Sequence, residues 1–292
     1  MNAHSYKVMQ YNVLHDGDGW GWENLPVPKT PASERKEQVM QIIESYSPDV
    51  LLLCERHPEW QVLNELLGEK YAVIGDRLSY EKGEYSNYCG ERLSYPAYEE
   101  ATVNRTPIFY NKQKFELVKS GMAPIEILTE LGRADMSSAM KRSQNKRVVT
   151  WGILRDCSNG IQFAVFGTHW TSHPVPSQCG IAYAAPAGND MDLWRKWQSN
   201  LLAEIMSQVL TDEFSAIPVI VMADFNALST AGSYCLLLEK AGLTDALPEE
   251  TGLVDHIAVK QFQIVGGGKD TSAASEVASD HKPIWCELVV EK

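Results

Sequence analysis

Short apolar runs that each end in a polar or charged residue recur along this chain, and they limit the folds that it can adopt. Val219–Ala223 is wholly apolar and leads to Asp224, and Leu51–Cys54 leads to Glu55 in the same way. Amphipathic stretches with helical spacing separate such runs. Strands buried on both faces and helices buried on one face predict layered sheets with helices packed outside them.

The same patterns predict the individual elements. The helices are a segment capped by Ser33 and ended by Ser47-Pro48, a short segment at Trp60–Leu67 and a long one at Leu193–Leu210. The strands are Tyr6–Val13, Asp49–Cys54, Pro107–Tyr110, Phe115–Ser120, Arg147–Leu154, Gln162–Thr168, Pro218–Ala223, His256–Val259 and Pro283–Val290. Without a repeat or a linker-like change in composition, residues 1–292 are expected to form a single domain with two packed sheets.

Several classes of protein fit the composition poorly. The chain has no apolar run of the roughly 18 residues that a membrane span needs, so no stable membrane insertion is expected. Met1–Lys7 lacks a signal-peptide pattern, which predicts a soluble, cytoplasmic protein as given, or a secreted one if a signal was removed. The six cysteines lack C-x-x-C pairs, so a disulfide framework is not expected, although Cys89 and Cys179 lie in loop-like stretches that would allow pairing.

The formal net charge of −12 bears on the partners of the chain. Binding to duplex nucleic acid without sequence preference depends on Lys and Arg that displace condensed counterions, and an acidic surface disfavours it. A local basic cluster with a metal ion can still hold one phosphate, so cleavage of nucleic acid stays open. Lys141, Arg142, Lys146 and Arg147 form the dense basic cluster, which is either a solvated loop or such an attracting patch.

Three long irregular segments interrupt the pattern, at Asp16–Pro31, Arg77–Glu100 and Thr171–Asp190. Long loops in a compact domain often line a binding site, although they also cap the ends of a core. Their aromatic residues are candidates for the walls of a substrate site: Trp20, Trp22, Tyr80, Tyr85, Tyr88, Tyr95, Tyr98 and Tyr183.

Polar groups that follow separate core strands are the strongest functional signal. They are Asn12, Glu55, His169, Asp224 with Asn226, and Asp280 with His281. Each alone has an ordinary structural explanation, since Asp-x-Asn is common in turns and a lone His is usually a satisfied structural residue. Their recurrence at strand ends suggests that they converge at one edge of a sheet sandwich, where oxygen-bearing side chains suit a hard divalent cation.

The order Asn, Glu, Thr-His, Asp-x-Asn and Ser-Asp-His resembles the endonuclease/exonuclease/phosphatase superfamily over nearly the whole chain. Residues Asn104–Tyr110 with Lys114–Leu117 look like the central strand pair of that family, and Arg147–Trp151 is similar to a motif of its bacterial members. The resemblance implies a four-layer α/β/β/α sandwich of two mixed sheets flanked by helices. It also implies a metal-dependent phosphoester hydrolase.

Roles for individual residues follow from this resemblance. It implies that Glu55, Asn12 and Asp280 bind Mg²⁺ or possibly Mn²⁺, with Asn12 alternatively acting as a hydrogen-bond support. Asp224 would activate the attacking water and Asn226 would hold the water or a phosphate oxygen. The remaining implied roles are stabilisation of the phosphate by His169 and His281, orientation of His281 by Asp255, and substrate binding by Asn104 and Arg147. Arg195 and Gln198 are expected to be packing or helix-surface residues rather than catalytic ones.

The predicted function is hydrolysis of a phosphoester, small molecule or nucleic acid, by a metal-positioned water without a covalent intermediate. A small phosphodiester is favoured over long duplex DNA, and a nuclease of the same superfamily is the alternative. A catalytically silent interaction protein is a distant alternative, because the metal carboxylates and final histidine are present. The protein is expected to act as a monomer. After His169 the chain has Trp170, where better-known members of the family have a Leu and an acidic residue. The sequence therefore does not assign the substrate.

Overall fold

The computed structural model describes residues 5–16, 30–86, 92–95, 98–125, 147–170, 191–250 and 252–290. Its α-helices are α1 Ala32–Tyr46, α2 Val62–Leu67, α3 Met191–Val209, α4 Gly232–Ala241 and α5 Ser275–Ala278. Its first eight strands are β1 Ser5–Asn12, β2 Val50–Cys54, β3 Tyr71–Ile74, β4 Arg77–Tyr80, β5 Gly83–Ser86, β6 Arg92–Tyr95, β7 Tyr98–Val103 and β8 Ile108–Asn111. The others are β9 Phe115–Pro124, β10 Val148–Asp156, β11 Gln162–His169, β12 Val219–Asp224, β13 Thr244–Asp245, β14 Asp255–Lys260, β15 Phe262–Lys269 and β16 Ile284–Val290.

Two six-stranded sheets form the centre of the fold. The first sheet has the strand order β15-β16-β1-β2-β8-β3, and the second has the order β13-β14-β12-β11-β10-β9. In each sheet one central pair is parallel, β1 with β2 and β11 with β12, and the neighbouring strands are antiparallel. Two smaller pairs, β4 with β7 and β5 with β6, lie outside these sheets.

Side-chain alternation explains why the central strands are apolar on both faces. In β2, Leu52 and Cys54 belong to the core between the sheets, whereas Leu51 and Leu53 pack with α1 and α2. The second sheet does the same, because Ile220 of β12 belongs to the core between the sheets. Its neighbours on the opposite face of β12 pack with α3 and α4. The layers are therefore helices, sheet, sheet and helices, and the predicted α/β/β/α sandwich is confirmed.

The two sheets approach each other closely at Gly167 of β11. A Cβ atom at this position would lie 2.4 Å from Leu52 Cδ1 and 3.2 Å from Ile108 Cγ1 of the opposite sheet. Because protein interiors are close-packed, there is no room for a side chain here. Gly167 therefore fixes the spacing of the sheets two residues before His169.

Helix α1 does not have the predicted cap. It begins at Ala32, and no side chain of the preceding residue caps it, so the prediction of Ser33 as the cap is wrong. The acceptor comes from outside the helix, because the Ala32 N–H donates to Asp16 Oδ1 at 2.6 Å. Local sequence rules do not detect an acceptor that the tertiary fold supplies.

Arg35 of α1 is buried and ties two loops together. Its Nη1 donates to the carbonyl oxygens of Val13 and Ala278, each at 2.8 Å, and its Nη2 donates to that of Leu14 at 2.8 Å. The guanidinium also lies 5.0 Å from the ring centre of Trp60. This single side chain therefore fixes the segment after β1 relative to the segment before Ser279.

Most other predicted elements are present with their ends shifted by a few residues. The predicted central strand pair is an exception, because β8 lies inside the first sheet and β9 is at the edge of the second. Sequence patterns did not predict β15, whose Gly266–Gly268 weakens the strand signal, or helix α4.

Some sequence predictions fall outside the described residues. These are the loop aromatics Trp20, Trp22, Tyr88 and Tyr183, the basic residues Lys141, Arg142 and Lys146, and the pairing of Cys89 with Cys179. Within the described part of the chain, Cys54, Cys157, Cys235 and Cys286 are free thiols. No helix in that part combines the length and apolar character needed to cross a membrane.

Candidate active site

The carboxyl ends of the parallel strand pairs bring polar residues from both sheets together. In the first sheet Asn12, the last residue of β1, lies beside Cys54, which precedes Glu55. In the second sheet His169 at the end of β11 lies beside Asp224 at the end of β12. Since the two sheets face each other, all four polar side chains lie at the same edge of the sandwich.

Three residues at these strand ends have left-handed backbone conformations that are unusual for non-glycine residues. The φ angles are 55° at Leu14, 59° at Glu55 and 49° at Asn226. Such conformations are strained in residues with a Cβ and persist only where surrounding contacts hold them. Glu55 follows β2 directly and Asn226 lies two residues after the end of β12, so these conformations occur where the two strands end.

Asn12 connects the two sheets at the centre of the site. Its Nδ2 donates to Glu55 Oε1 at 3.2 Å and to Asp224 Oδ2 at 3.0 Å. Its Oδ1 accepts a hydrogen bond from the Leu14 N–H at 3.0 Å. These contacts are those of a hydrogen-bond support, and the alternative role of Asn12 as a metal ligand stays a prediction.

Asp224 is buried and surrounded by hydrogen-bonding groups. Its Oδ1 accepts from the Asn226 N–H at 2.9 Å, and its Oδ2 lies 3.3 Å from His169 Nε2 and 3.9 Å from His281 Nε2. Burial raises the pKa of Asp224 to about 7, and the nearby carboxylate of Asp255 adds to the rise. The ionised form is therefore costly, as expected where several carboxylates share a buried site.

His169 and Arg147 form one side of the site. Burial lowers the pKa of His169 well below its usual value, and the positive charge of Arg147 contributes. The imidazole is therefore neutral at neutral pH. Arg147 lies just before β10, and its Nη1 donates to the His169 carbonyl oxygen at 2.8 Å.

His281 and Asp255 form a buried charged pair on the opposite side. His281 Nδ1 lies 2.6 Å from Asp255 Oδ2, and Asp255 Oδ1 accepts from Gln10 Nε2 at 2.8 Å. Burial alone would lower the pKa of His281, but the carboxylates of Asp255, Asp224 and Asp280 outweigh it and raise that pKa to about 11. The imidazolium is therefore the stable form, with its Nε2–H turned towards Asp224.

The Ser-Asp-His segment is anchored by its serine. Ser279 Oγ donates to the Asn12 carbonyl oxygen at 2.6 Å and accepts from the His281 N–H at 3.2 Å. Asp280 is exposed to solvent, yet its carboxyl is partly enclosed, which raises its pKa, and the nearby charge of Glu55 adds to the rise.

Two groups of potential metal ligands occur among the described residues. One comprises Glu55, His169 and Asp224, the other Asp224, Asp255 and His281, and in each the ligand atoms lie within 4.8 Å of one another. Asp280 belongs to neither group. The predicted metal ligand Glu55 thus belongs to the first of these groups, and the predicted metal roles of Asn12 and Asp280 stay predictions.

Asn226 lies between the acid cluster and an open cavity. Its Nδ2 donates to the Trp170 carbonyl oxygen at 2.9 Å, and the Trp170 N–H donates to the Asp224 carbonyl oxygen at 2.9 Å. The Trp170 ring packs edge-on against Phe225. The cavity has a volume of about 360 Å³, and Arg195 and Leu228 are among its lining residues. Thus Trp170, which departs from the family pattern, holds the Asp-x-Asn segment.

Asn104 lies in a buried hydrogen-bond network between the two sheets. Its Nδ2 donates to the Gly75 carbonyl oxygen at 2.7 Å and to Thr150 Oγ1 at 2.8 Å. Its Oδ1 accepts from the Thr106 N–H at 3.1 Å. The Asn104 amide is therefore buried and bonded within the protein, and its predicted contact with substrate stays a prediction.

Sequence reasoning missed residues that enter the site from neighbouring elements. The His15 N–H donates to Glu55 Oε2 at 3.2 Å, and the His15 ring stacks on that of His57 at 4.5 Å. Burial lowers the pKa of His57 to about 2, and Arg105 and His15 contribute to the shift. His15, three residues beyond the strand-end Asn12, carries no recognisable signal of its own. Gln10, which supports Asp255, is hidden inside an apolar strand.

Comparisons with known proteins agree with the fold. A family model described as the Endonuclease/Exonuclease/phosphatase family matches residues 9–281. No curated protein is significantly similar to the chain in sequence.

Several solved structures have the same fold at low sequence identity. The human Nocturnin catalytic domain with bound sulfate is 19% identical, with a TM-score of 0.66 over 98% of this chain and 94% of that chain. A mannosyl-6-phosphatase from Bacteroides thetaiotaomicron is 18% identical, with a TM-score of 0.62 over 97% of this chain and 99% of that chain. ANGEL2, a 2′,3′-cyclic phosphatase, is 16% identical, with a TM-score of 0.64 over 100% of this chain and 97% of that chain.

Proposed function

Since the chain belongs to the endonuclease/exonuclease/phosphatase family, a superfamily of metal-dependent phosphoesterases, we propose that it hydrolyses a phosphoester at the strand-end site. The observation that carries this proposal is the convergence of Glu55, His169 and Asp224, whose ligand atoms lie within 4.8 Å of one another. These residues come from both sheets and are far apart in the sequence. Packing of one core does not require such a cluster of buried acids and imidazoles, whereas phosphoester chemistry uses it.

The residues fit a hard divalent cation, which we propose to be Mg²⁺ or Mn²⁺. Carboxylate oxygens are the ligands that these ions prefer. The pKa of Asp224 is raised to about 7 by burial and by the charge of Asp255, so the ionised carboxylate is costly in the protein alone. A cation held by Glu55 together with Asp224 would offset that charge. When bound, it would polarise the phosphate and stabilise the negative charge that develops in the transition state.

The protein groups would supply proton transfer around the phosphorus atom. Asp224 would take a proton from the attacking water. His281 carries a proton on Nε2 and would donate a hydrogen bond to a phosphate oxygen or a proton to the leaving oxygen. Asp255 would hold the imidazolium in orientation through its 2.6 Å contact with Nδ1.

Other residues would position these groups. Asn12 would hold Glu55 and Asp224 in register through its two N–H donors. We assign Asn226 to the water or a phosphate oxygen, Asp280 to the outer side of the metal site and Arg147 to the substrate. Asn104 would act indirectly, by fixing the loop that precedes β8.

The neighbouring structures support a small phosphoester as substrate. Two of them are named for phosphatase activity, on mannosyl-6-phosphate and on a 2′,3′-cyclic phosphate. The net charge of −12 disfavours long duplex DNA. We further propose that residues 1–292 act as one domain and as a monomer.

Hydrolysis of p-nitrophenyl phosphate and bis-p-nitrophenyl phosphate with Mg²⁺ or Mn²⁺, with and without chelator, tests the proposal. Asp224→Asn and His281→Ala should each lower kcat by at least about 100-fold, and Glu55→Ala should abolish Mg²⁺ binding in calorimetry. Glu116→Gln, which removes an exposed carboxylate paired with Arg155, is the matched control. Unchanged turnover in both site variants would contradict the proposed mechanism. Cleavage of plasmid DNA with no turnover of the small esters would favour the nuclease alternative.

A further inference from the structure

His256 lies on the opposite face of β14 from Asp255. In the register of β14 with β12, Asp255 is opposite Asp224 and His256 is opposite Ala223. Successive side chains of a strand point to opposite faces of the sheet. The ring of His256 stacks on that of Tyr234 of α4, with 4.3 Å between the ring centres and 22° between the planes. The His256 side chain therefore faces α4 rather than the strand-end cluster.

The imidazole of His256 is buried and has two polar neighbours. Its Nε2 lies 2.9 Å from the Ala227 carbonyl oxygen, and its Nδ1 lies 3.5 Å from Asp245 Oδ2. Because a carbonyl oxygen can only accept a hydrogen bond, Nε2 carries a proton and donates it. Burial of an imidazole costs free energy unless its polar atoms are paired. The donor on Nε2 is thus used to hold one backbone carbonyl.

The hydrogen bond from His256 reaches the turn that carries Asn226. The φ angle of Asn226 is 49°, a conformation that persists only where surrounding contacts hold it. On one side of Asn226, the Phe225 N–H donates to the Val254 carbonyl oxygen at 2.9 Å. On the other side, the Ala227 carbonyl oxygen accepts from His256 at 2.9 Å. The chain around the start of β14 therefore holds the turn both before and after Asn226.

Asn226 in turn orients the carboxylate of Asp224. The Asn226 N–H donates to Asp224 Oδ1 at 2.9 Å, and Asn12 Nδ2 donates to Asp224 Oδ2 at 3.0 Å. Because donors on different elements hold the two oxygen atoms, a displacement of the Asn226 amide would rotate the carboxylate. Such a rotation would change the distances of Asp224 Oδ2 from His169 and His281, which are 3.3 Å and 3.9 Å to their Nε2 atoms.

We propose that His256 is a positioning residue for hydrolysis, because its Nε2–H fixes the Ala227 carbonyl and thereby the turn that orients Asp224. This inference rests on the proposed hydrolase function and adds to it a residue that touches neither the substrate nor the reacting atoms. The role needs a donor at the place of Nε2. A ring of similar shape without a donor would still pack against Tyr234 but would leave the turn less firmly held.

Amide hydrogen exchange of the metal-free protein tests this contact without catalysis. His256→Phe keeps a stacked ring and removes the donor, while Asp245 retains the Leu247 N–H as a donor at 2.9 Å. The Asn226 amide should exchange about 3- to 10-fold faster in His256→Phe than in the wild type, as expected for loss of one hydrogen bond. His256→Gln, whose Nε2 can donate to the same carbonyl, should exchange within about twofold of the wild type.

Kinetics with p-nitrophenyl phosphate and bis-p-nitrophenyl phosphate in Mg²⁺ test the effect on the reaction. His256→Phe should lower kcat by about 3- to 10-fold and change KM by less than about twofold, because it affects the group that takes the water proton and not substrate binding. His256→Gln should recover most of kcat. Tyr6→Phe is the matched control, since it removes the buried hydrogen bond from Tyr6 Oη to Asp156 Oδ2 at 2.9 Å, at the far end of β10. It should lower the melting temperature and leave kcat unchanged.

The outcomes separate this inference from the proposed function. If His256→Phe does not fold, His256→Met replaces it, because Met is similar in length to Gln and lacks the donor. Wild-type kcat in the donor-free variant would show that His256 only packs, and unchanged exchange at Asn226 would exclude the route through the turn. Either result, or an equal loss of kcat in His256→Gln, would overturn the inference and leave the hydrolase function intact. No turnover of either ester by the wild type would overturn both.

Discussion

Replacing Asp255 with Asn is expected to destabilise the metal-free protein in a pH-dependent manner. The side chain of His281 is 19% exposed, and its Nδ1 lies 2.6 Å from Asp255 Oδ2. An amide of the same shape would still accept from Gln10 and donate its N–H to Nδ1, but only if the imidazole became neutral. The substitution thus removes the charge pair while keeping the shape.

The size of the effect follows from the pKa of His281. The rise of this pKa from 6.5 to about 11 corresponds to about 6 kcal/mol, at about 1.36 kcal/mol for each unit of pKa. This is an upper bound, because Asp224 and Asp280 supply part of it. Measured losses for breaking buried ion pairs are about 3–5 kcal/mol, and we expect Asp255→Asn to fall in that range.

The sign of the pH dependence is fixed by linkage. A group whose pKa is raised by folding contributes its full stability below its unfolded pKa, near 6.5, and loses it as the pH rises towards about 11. The deficit of Asp255→Asn should therefore be largest near pH 6 and shrink by up to about 1.4 kcal/mol per pH unit above pH 7.

Urea unfolding in chelator between pH 6 and pH 10 measures this deficit. Asp255→Ala is the comparison, since it also leaves Gln10 Nε2 without its 2.8 Å acceptor. It should show an additional loss of about 1–3 kcal/mol that does not vary with pH. If the deficit of Asp255→Asn were constant across this range, the contact would contribute through hydrogen bonding or packing and the charge-pair reasoning would be refuted.

Three further predictions concern the site and its support. Asp224 has a pKa of about 7 in the metal-free protein, and a bound cation can only lower it. The value of kcat/KM should therefore be constant above pH 7 and fall below it. A decrease of kcat/KM that already begins above pH 8 as the pH is lowered would contradict this. Glu55→Gly should be about 1–2 kcal/mol more stable in urea than Glu55→Ala, because only glycine adopts a φ of 59° without strain; equal stabilities would remove the strain argument. Gly167→Ala should lower the free energy of unfolding by about 1–3 kcal/mol, since its Cβ would lie 2.4 Å from Leu52 Cδ1; a neutral effect in calorimetry would show that Leu52 yields freely.

Much of the fold was predictable because its central strands have strong signals. β2 and β12 are continuous apolar runs that end in Cys54 and Asp224, and this pattern is typical of strands buried on both faces. β15 was missed because its run of glycines weakens the strand signal and its exposed Val265 breaks the alternation. The start of α1 was misjudged because Asp16, which is remote in sequence from Ala32, supplies the acceptor.

The candidate site was predictable where a residue follows its own strand. Asn12, His169 and Asp224 end their strands, and Glu55 comes one residue after β2. Gln10 was missed because its role depends on Asp255 of the opposite sheet, to which its Nε2 donates at 2.8 Å, and no local pattern encodes that contact. For the same reason the sequence did not show that the Asn104 amide bonds with Thr150 of the opposite sheet.

Because each sheet contributes part of the site, the proposed chemistry depends on how the two sheets are positioned relative to each other. Asn12 and Glu55 are carried by one layer, His169 and Asp224 by the other, and Asn12 Nδ2 spans the seam between them. Slippage of one layer by a fraction of a side-chain width would separate these groups while leaving each layer internally hydrogen-bonded. On gradual heating, turnover should therefore be lost before circular dichroism shows any loss of β-strand structure. Turnover would thus report on the alignment of the two sheets.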